Sequence, residues 1–377
     1  MFEKFVSNVP LGTGTNYILD TREPRRYRVR AYFRPIMSGE FNWRISYVNT
    51  VNSTFAGGTT AWRNRSGGNI KLLSAYLADG GEIDGREFLD GSLEPEMLIN
   101  AHRLTFGGSE TTELAPDDEL WSDEVRLNIP EGHYLAFEWT LEGDAIPCTP
   151  DHRAAVFVDR GEGFSAGDSP NAPLPAMFGC ERPYVKRLAF LGDSITQGCQ
   201  TGRNRYEMWV ARISAMLPEY AVWNLGLGYA RAADAATDEC WLKKAKQNDV
   251  VVLTLGVNDL LHGSYERGRP STAGELLADI TKIIIALKSA GVEVILSLLP
   301  PFDFTEAQKS EWRAVNLAIP ELARLYGCKV YNFMSSLEAG GILECYPKYG
   351  AHPNGEGGKA AAEEFYRSFH TESGWRL

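Results

Sequence analysis

Leu191-Gly192-Asp193-Ser194-Ile195-Thr196-Gln197-Gly198 stands between two different patterns. Ahead of it, Val185 to Leu191 is an apolar-rich run containing Phe190, which reads as a strand. Behind it, after a glycine-bearing polar loop, the apolar residues of Tyr206 to Leu217 fall at helical spacing. A serine beside a glycine at the carboxyl end of a strand, leading toward a helix, is where open α/β sheets hold their chemistry. The Ser194 hydroxyl would then stand outside the sheet. Its backbone N–H would lie near a helix amino end, where it can face a developing oxyanion. Taken alone, the segment reads equally well as a βα turn in which Ser194 caps the helix.

The carboxyl-terminal half decides for strand–helix alternation. Asp249 to Leu255 is a nearly unbroken run of Val and Leu, and Val292 to Leu299 is a further apolar run stopped by Pro300-Pro301. Ala221 to Leu225 and Cys328 to Phe333 read as shorter strands. Helical periodicity appears at Glu207 to Leu217, Asp238 to Lys246, Ala273 to Ala290, Glu306 to Tyr326 and Gly355 to Phe369. Such alternation predicts a parallel sheet with helices on both faces.

The amino-terminal half reads as all-β. Tyr27–Arg34, Asn42–Val48, Ile70–Leu77, Met97–Phe106, Val125–Ile129, His133–Leu141 and Ala154–Val158 are short β-type runs, separated by glycine pairs and by Pro130-Glu131-Gly132. That spacing predicts a β-sandwich of jelly-roll type. Glycines and prolines crowd Gly161 to Pro183, which reads as a linker or surface loop. The expected domains are therefore 1–183, a β-sandwich accessory domain, and 184–377, a catalytic domain.

With 377 residues the chain exceeds one ordinary core. Its 44% hydrophobic, 11% aromatic and 23% charged residues are those of a globular protein. A net charge of −11 with a pI near 5.2 argues against nucleic acid or an anionic membrane as partner and favours a small or neutral substrate. Six scattered cysteines, with no Cys-x-x-Cys pair and no Cys/His cluster, read as reduced thiols, and no metal or cofactor is expected. Met1 to Thr15 has no long apolar core and no apolar run reaches eighteen residues, so a soluble, cytoplasmic protein is expected, with homo-oligomerisation left open.

The strand ends carry Ser194, then Asn224-Leu225-Gly226-Leu227-Gly228, then Gly256-Val257-Asn258-Asp259, and a later loop carries His352-Pro353-Asn354. In a doubly wound sheet these ends meet on one rim. A hydroxyl, a glycine-flanked N–H, a carboxamide and an imidazole there are the parts of an acyl-transfer site. His352 would supply the base that serine needs. The Ser194 N–H, an N–H near Gly228 and the Asn258 amide would receive the oxyanion.

Those four blocks resemble the SGNH (GDSL-type) esterases, in the family's order, over roughly residues 185–377. The resemblance implies a flavodoxin-like three-layer α/β/α domain with Ser194 as nucleophile, His352 as base, and Gly228 and Asn258 completing the oxyanion hole. Trp121 to Val125 and Pro130 to Leu135 are similar to jelly-roll-like domains that precede this domain in some bacterial members, among them carbohydrate esterases. By that resemblance the reaction is hydrolysis of short acyl esters, acetyl groups on small molecules or oligosaccharides foremost. An acyltransferase on the same acyl-enzyme, or a carbohydrate-binding protein with a decayed site, are the alternatives.

Two departures stand out. The family usually has Asp three residues before the histidine, where this chain has Tyr349, which leaves Glu344, Glu356 or a backbone carbonyl to orient the ring. Tyr229 lies where many members keep glycine, so either Gly228 or Tyr229 would give the oxyanion N–H. Asp193 and Asp259 read as loop or cap residues, and His262 as incidental. Most of Trp43, Trp62, Trp121 and Trp139 read as sandwich core.

Overall fold

The structure, a computed structural model, describes residues 4–53, 63–83, 98, 100–149, 153–165, 171–263, 267–338, 343–346 and 350–370. The described residues form two compact units. One is drawn from Met1–Thr54 and Asn64–Pro183 with Arg203–Arg205, the other from Phe55–Arg63, Tyr184–Gly202 and Tyr206–Leu377.

The first unit is β-rich. Alternation along Tyr17–Phe33 buries Tyr27, Val29, Ala31 and Phe33, while Arg26 is exposed and Arg28 half-buried on the opposite face. This strand lies inside a seven-stranded antiparallel sheet, between Ala155–Asp159 and His133–Cys148, and Ile70–Glu82 lies beyond His133–Cys148. A second sheet of five strands runs Val6–Ser7, Met177–Cys180, Gly39–Val48, Val125–Ile129, with Glu119–Trp121 also on Gly39–Val48. Aromatic rings join the two sheets. Phe33 and Phe137 of the larger sheet lie 4.5 and 5.1 Å from Phe178 of the smaller, and Tyr47 meets Trp139 edge-on at 5.1 Å. The polar tips are satisfied, since Tyr47 Oη donates to the Pro147 carbonyl and Trp139 Nε1 to that of Pro173.

This arrangement corrects the reading of Gly161 to Pro183 as linker. Met177–Cys180 is a fully buried strand held between Val6–Ser7 and Gly39–Val48. Its four residues are too few to show against the flanking glycines and prolines. Within the expected strand at Met97–Phe106, only His102–Arg103 pairs as a strand, and residues 97 and 99 lie outside the described residues. Trp43 and Trp139 are core, whereas Trp121 is half-buried beneath the Arg44 guanidinium, and Trp62 lies outside the described residues.

The second unit is built on a five-stranded parallel sheet. Along the chain its strands are Arg187–Gly192, Ala221–Gly226, Val250–Thr254, Glu293–Ser297 and Lys329–Tyr331, and they lie side by side in the order 2-1-3-4-5. That is the doubly wound order whose switch point falls at the end of the first strand, next to Ser194. The helices start and stop where their side chains dictate. Thr272 with Glu275, and Thr305 with Gln308, form capping boxes for Ala273–Ser289 and Glu306–Tyr326, and Gly327 at φ 60° ends the latter. The closing helix Gly355–His370 approaches so closely that a Cβ on Gly358 would lie 2.2 Å from the Glu207 carbonyl oxygen. No helix among the described residues is long and apolar enough to cross a membrane.

Replacing Phe178 by Ala should cost about 3–5 kcal/mol, the usual range for emptying an aromatic core site. Urea unfolding would read this. A cost below about 1 kcal/mol would show that the strand Met177–Cys180 does not tie the two sheets together.

Candidate active site

Strand Arg187–Gly192 delivers the chain into a one-turn helix, Ser194–Gln197. Asp193 caps that turn, its Oδ1 accepting from the Ile195 N–H at 2.9 Å. Gly198 closes it at φ 93°, its N–H donating to the Ser194 carbonyl. Gly192 is required by space, because a Cβ there would lie 2.1 Å from both Thr196 Oγ1 and Thr254 Oγ1. Ser194 is therefore the first residue of a turn locked on both sides, and its side chain is half-buried.

The Ser194 Oγ lies 2.9 Å from His352 Nε2. His352 is 3% exposed, and Phe302 meets its ring edge-on at 5.6 Å. Sequence reasoning placed His352 in a loop, but the structure puts it in a two-stranded hairpin of Leu343–Tyr346 and Gly350–Pro353. The loop after Pro301 fixes that hairpin strand. The Ala351 N–H donates to Asp303 Oδ1 at 3.3 Å, and Gly350, at φ 76°, packs against Phe302 and Asp303 where a Cβ would collide.

Of the groups considered for orienting the ring, a backbone carbonyl is in place: His352 Nδ1 lies 3.4 Å from the Gly350 oxygen. Glu344, directly opposite His352 in the ladder, has its Oε1 accepting from Asn354 Nδ2. Glu356 is exposed in the first turn of Gly355–His370. Tyr349 lies outside the described residues.

The second loop is stitched onto the serine turn. Asn224 Nδ2 donates to the Thr196 carbonyl at 3.0 Å, its Oδ1 accepts from the Gly226 N–H, and the Leu227 N–H donates to the Gly192 carbonyl. A Cβ on Gly226 would lie 2.2 Å from the Gln197 nitrogen. The Gly228 N–H does not stand open as the sequence reading had it. It donates to Gln197 Oε1 at 2.7 Å. Tyr229 comes next at φ 64°, a left-handed conformation that suits the glycine many family members keep there. Asn258 sits in the first turn of Val257–Leu261, 6% exposed, with Nδ2 donating to the Ala230 carbonyl at 3.2 Å. Among the described residues one amide hydrogen of Asn258 remains for a ligand.

The neighbouring polar residues take structural positions. Asp259 accepts from the Ala232 and Ala233 N–H groups at the start of the short helix Ala232–Ala235. Cys199 is buried with its Sγ 3.6 Å from Gln197 Oε1, while His262 is exposed and ends the helix Val257–Leu261. His133 pairs with Asp79, and His152 lies outside the described residues. Among the described residues no group of three or more His, Cys, Asp or Glu side chains is placed to hold a metal ion. Sequence reasoning did not single out Gln197, Phe302 or Asp303. The first stands inside the quoted motif; Phe302 and Asp303 lie just past Pro300-Pro301, where only a strand stop was legible.

Asp193 and Asp259 are buried, and burial pushes both carboxyls up to about 7. Asp193 Oδ2 has no hydrogen-bond partner among the described residues. Because the folded-state pKa values lie above the unfolded ones, these groups stabilise the fold fully only below about pH 4. That stabilisation fades as pH rises through about 7. Asp193→Asn should therefore gain stability relative to wild type between about pH 5 and pH 8, by about 1 kcal/mol or more. Urea titrations across that range would show it. A wild-type-to-variant difference that does not change with pH would mean Asp193 does not titrate there.

A family model described as the GDSL-like lipase/acylhydrolase family matches residues 190–360. No curated protein is matched. Among solved structures, a lipolytic protein of the G-D-S-L family from Veillonella parvula is similar at 21% identity, over 48% of this chain and 97% of that one, with a TM-score of 0.41. A catalytic mutant of an acetylxylan esterase from Geobacillus stearothermophilus is similar at 17% identity, over 52% and 99%, with a TM-score of 0.42. An α/β hydrolase from the metagenome of Lake Arreo, Spain, is similar at 17% identity, over 49% and 95%, with a TM-score of 0.40. The family match falls on the segment that carries Ser194, Asn258 and His352: residues 190–360 are similar to the GDSL-like lipases and acylhydrolases, which supports a carboxylic ester hydrolase.

Proposed function

We propose that the protein hydrolyses short acyl esters, acetyl groups on carbohydrates foremost, through an acyl-enzyme on Ser194. The observation that carries this reading is the 2.9 Å contact between Ser194 Oγ and His352 Nε2. The acetyl and carbohydrate preference rests on the motif resemblance to carbohydrate esterases. In the same reading residues 1–183 are a jelly-roll-like accessory domain and 184–377 the catalytic one.

The chemistry is set by the atoms. For Nε2 to accept the Ser194 proton, the ring must carry its other proton on Nδ1, which faces the Gly350 carbonyl. Ser194 Oγ attacks the ester carbonyl as His352 takes its proton. The oxyanion of the tetrahedral intermediate meets the Ser194 N–H and the remaining Asn258 amide hydrogen. With the Gly228 N–H held by Gln197, we assign the further donor in that loop to the Tyr229 N–H. His352 then gives its proton to the leaving alcohol, and a second round with water as nucleophile releases the acid. A carbonyl facing Nδ1 favours that tautomer.

Hydrolysis of p-nitrophenyl acetate and of acetylated xylo-oligosaccharides tests the reading. Ser194→Ala and His352→Ala should each lower kcat/KM by about 10³-fold or more. If wild type were no faster than Ser194→Ala on every ester, the enzyme reading of these residues would be wrong. With a sugar acceptor added, a transferase would form the acylated acceptor faster than free acetate.

The oxyanion assignment is tested separately. Asn258→Ala should lower kcat by about 10²–10³-fold with little change in KM. Tyr229→Gly should keep activity within several-fold, because the donor there is main chain. A loss of about 100-fold on Tyr229→Gly would show instead that the phenol side chain takes part.

A further inference from the structure

The outer face of the seven-stranded sheet is divided into two halves. Tyr32, Ala78, Tyr134, Ala136, Ala155 and Phe157 form a buried cluster on one half, with Leu98, Ala101 and Phe164 packed against it. The other half is polar and partly exposed. Register places Asp159, Arg28, Thr140 and Ser74 in one row across four adjacent strands, with Arg30, Glu138 and Tyr76 in the row beside it. Above this floor is a cavity of about 660 Å³, also lined by Arg25, Arg26 and Arg160, a size ordinary for a ligand site.

The charge here runs against the rest of the molecule. Four arginines line the cavity against two carboxylates, Glu138 and Asp159, in a chain of net charge −11. Both carboxylates are already engaged. Glu138 accepts from Arg28 Nε at 2.9 Å and from Arg30 Nε at 2.6 Å, so one acid is shared between two guanidinium groups. Asp159 Oδ1 accepts from the Gly161 and Gly163 N–H groups of its own turn. Arg28 and Arg30 are also stacked over the Phe164 ring, 4.7 and 5.1 Å from its centre. Arg28 is thus held by its Nε and its flat face, which among the described residues leaves its terminal N–H groups as preset donors. Arg25 and Arg26 are exposed, and Arg26 makes a long 3.4 Å contact to Glu142.

We infer that this groove binds a carboxylate-bearing oligosaccharide. The Arg28 guanidinium, fixed in place, matches a planar carboxylate with paired N–H donors, and Arg25, Arg26 and Arg160 add positive charge around it. The hydroxyls of Ser74 and Thr140 suit the ring hydroxyls of a sugar. Tyr76 is the one aromatic side chain among the lining residues, so recognition comes from charge and hydrogen bonds more than from ring stacking. The groove would hold an acidic polymer independently of the chemistry at Ser194.

Calorimetric titration of the full chain with a galacturonic acid tetramer, with xylotetraose and with inorganic phosphate tests this. The uronate tetramer should bind, weaken about tenfold in Arg25→Gln/Arg160→Gln, and weaken again as NaCl is raised. Xylotetraose should bind at least about tenfold more weakly than the uronate. The double variant should melt with wild type and hydrolyse p-nitrophenyl acetate at the wild-type rate. Ser194→Ala should bind the uronate as wild type does, so a failure of the esterase reading leaves this test intact. The inference is overturned if the uronate does not bind, if xylotetraose binds equally, or if the double variant binds unchanged. It is also overturned if inorganic phosphate binds as tightly as the uronate, since the groove would then be a site for a small anion.

Discussion

The proposed catalytic arrangement depends on how little room surrounds the turn Ser194–Gln197. Gly192 and Gly226 leave no space for a Cβ, and the gaps they would fill are taken by Thr196, Thr254 and the Gln197 backbone. Close approach lets hydrogen bonds lock the turn from two sides. Asp193 holds its start, while Asn224 and Gly228 tie its end to the next strand's loop. A serine on a turn so fixed can keep one rotamer against His352, which is what a nucleophile aligned before substrate arrives requires.

The proposed base comes from much farther along the chain. His352 is carried by a hairpin whose register sets Glu344 opposite it, and the loop at Phe302 and Asp303 supports the hairpin from beneath. The imidazole is shielded, and a main-chain carbonyl faces its Nδ1. Two buried carboxyls, Asp193 and Asp259, hold backbone amides next to this machinery. Burial raises both, so they carry less negative charge near neutral pH than exposed carboxylates would.

Much of this was legible in the sequence where periodicity was strong. Glu306–Tyr326 was read to the residue, and the five parallel strands were each placed within two residues or so, because Val- and Leu-rich runs alternate there with capped helices. Ser194 and His352 were legible from residue type and flanking glycines, and they do meet. What escaped were features fixed by partners distant in sequence. The strand Met177–Cys180 exists because Gly39–Val48 and Val6–Ser7 flank it, and the hairpin at His352 forms from two four-residue strands. That the Gly228 N–H is taken by Gln197 is a side-chain fact that no spacing rule contains. The arginine groove was hidden for a similar reason, since Arg28, Thr140, Asp159 and Ser74 become neighbours only through register.

The most direct test of the account is covalent. Wild type and His352→Ala would be incubated with a fluorophosphonate, which phosphonylates only an activated hydroxyl, and the adduct mapped by peptide mass spectrometry. The account predicts a single rapid adduct on Ser194 in wild type, and labelling slowed by orders of magnitude when His352 is removed. An adduct on another residue, or labelling of Ser194 at the same rate without His352, would contradict it.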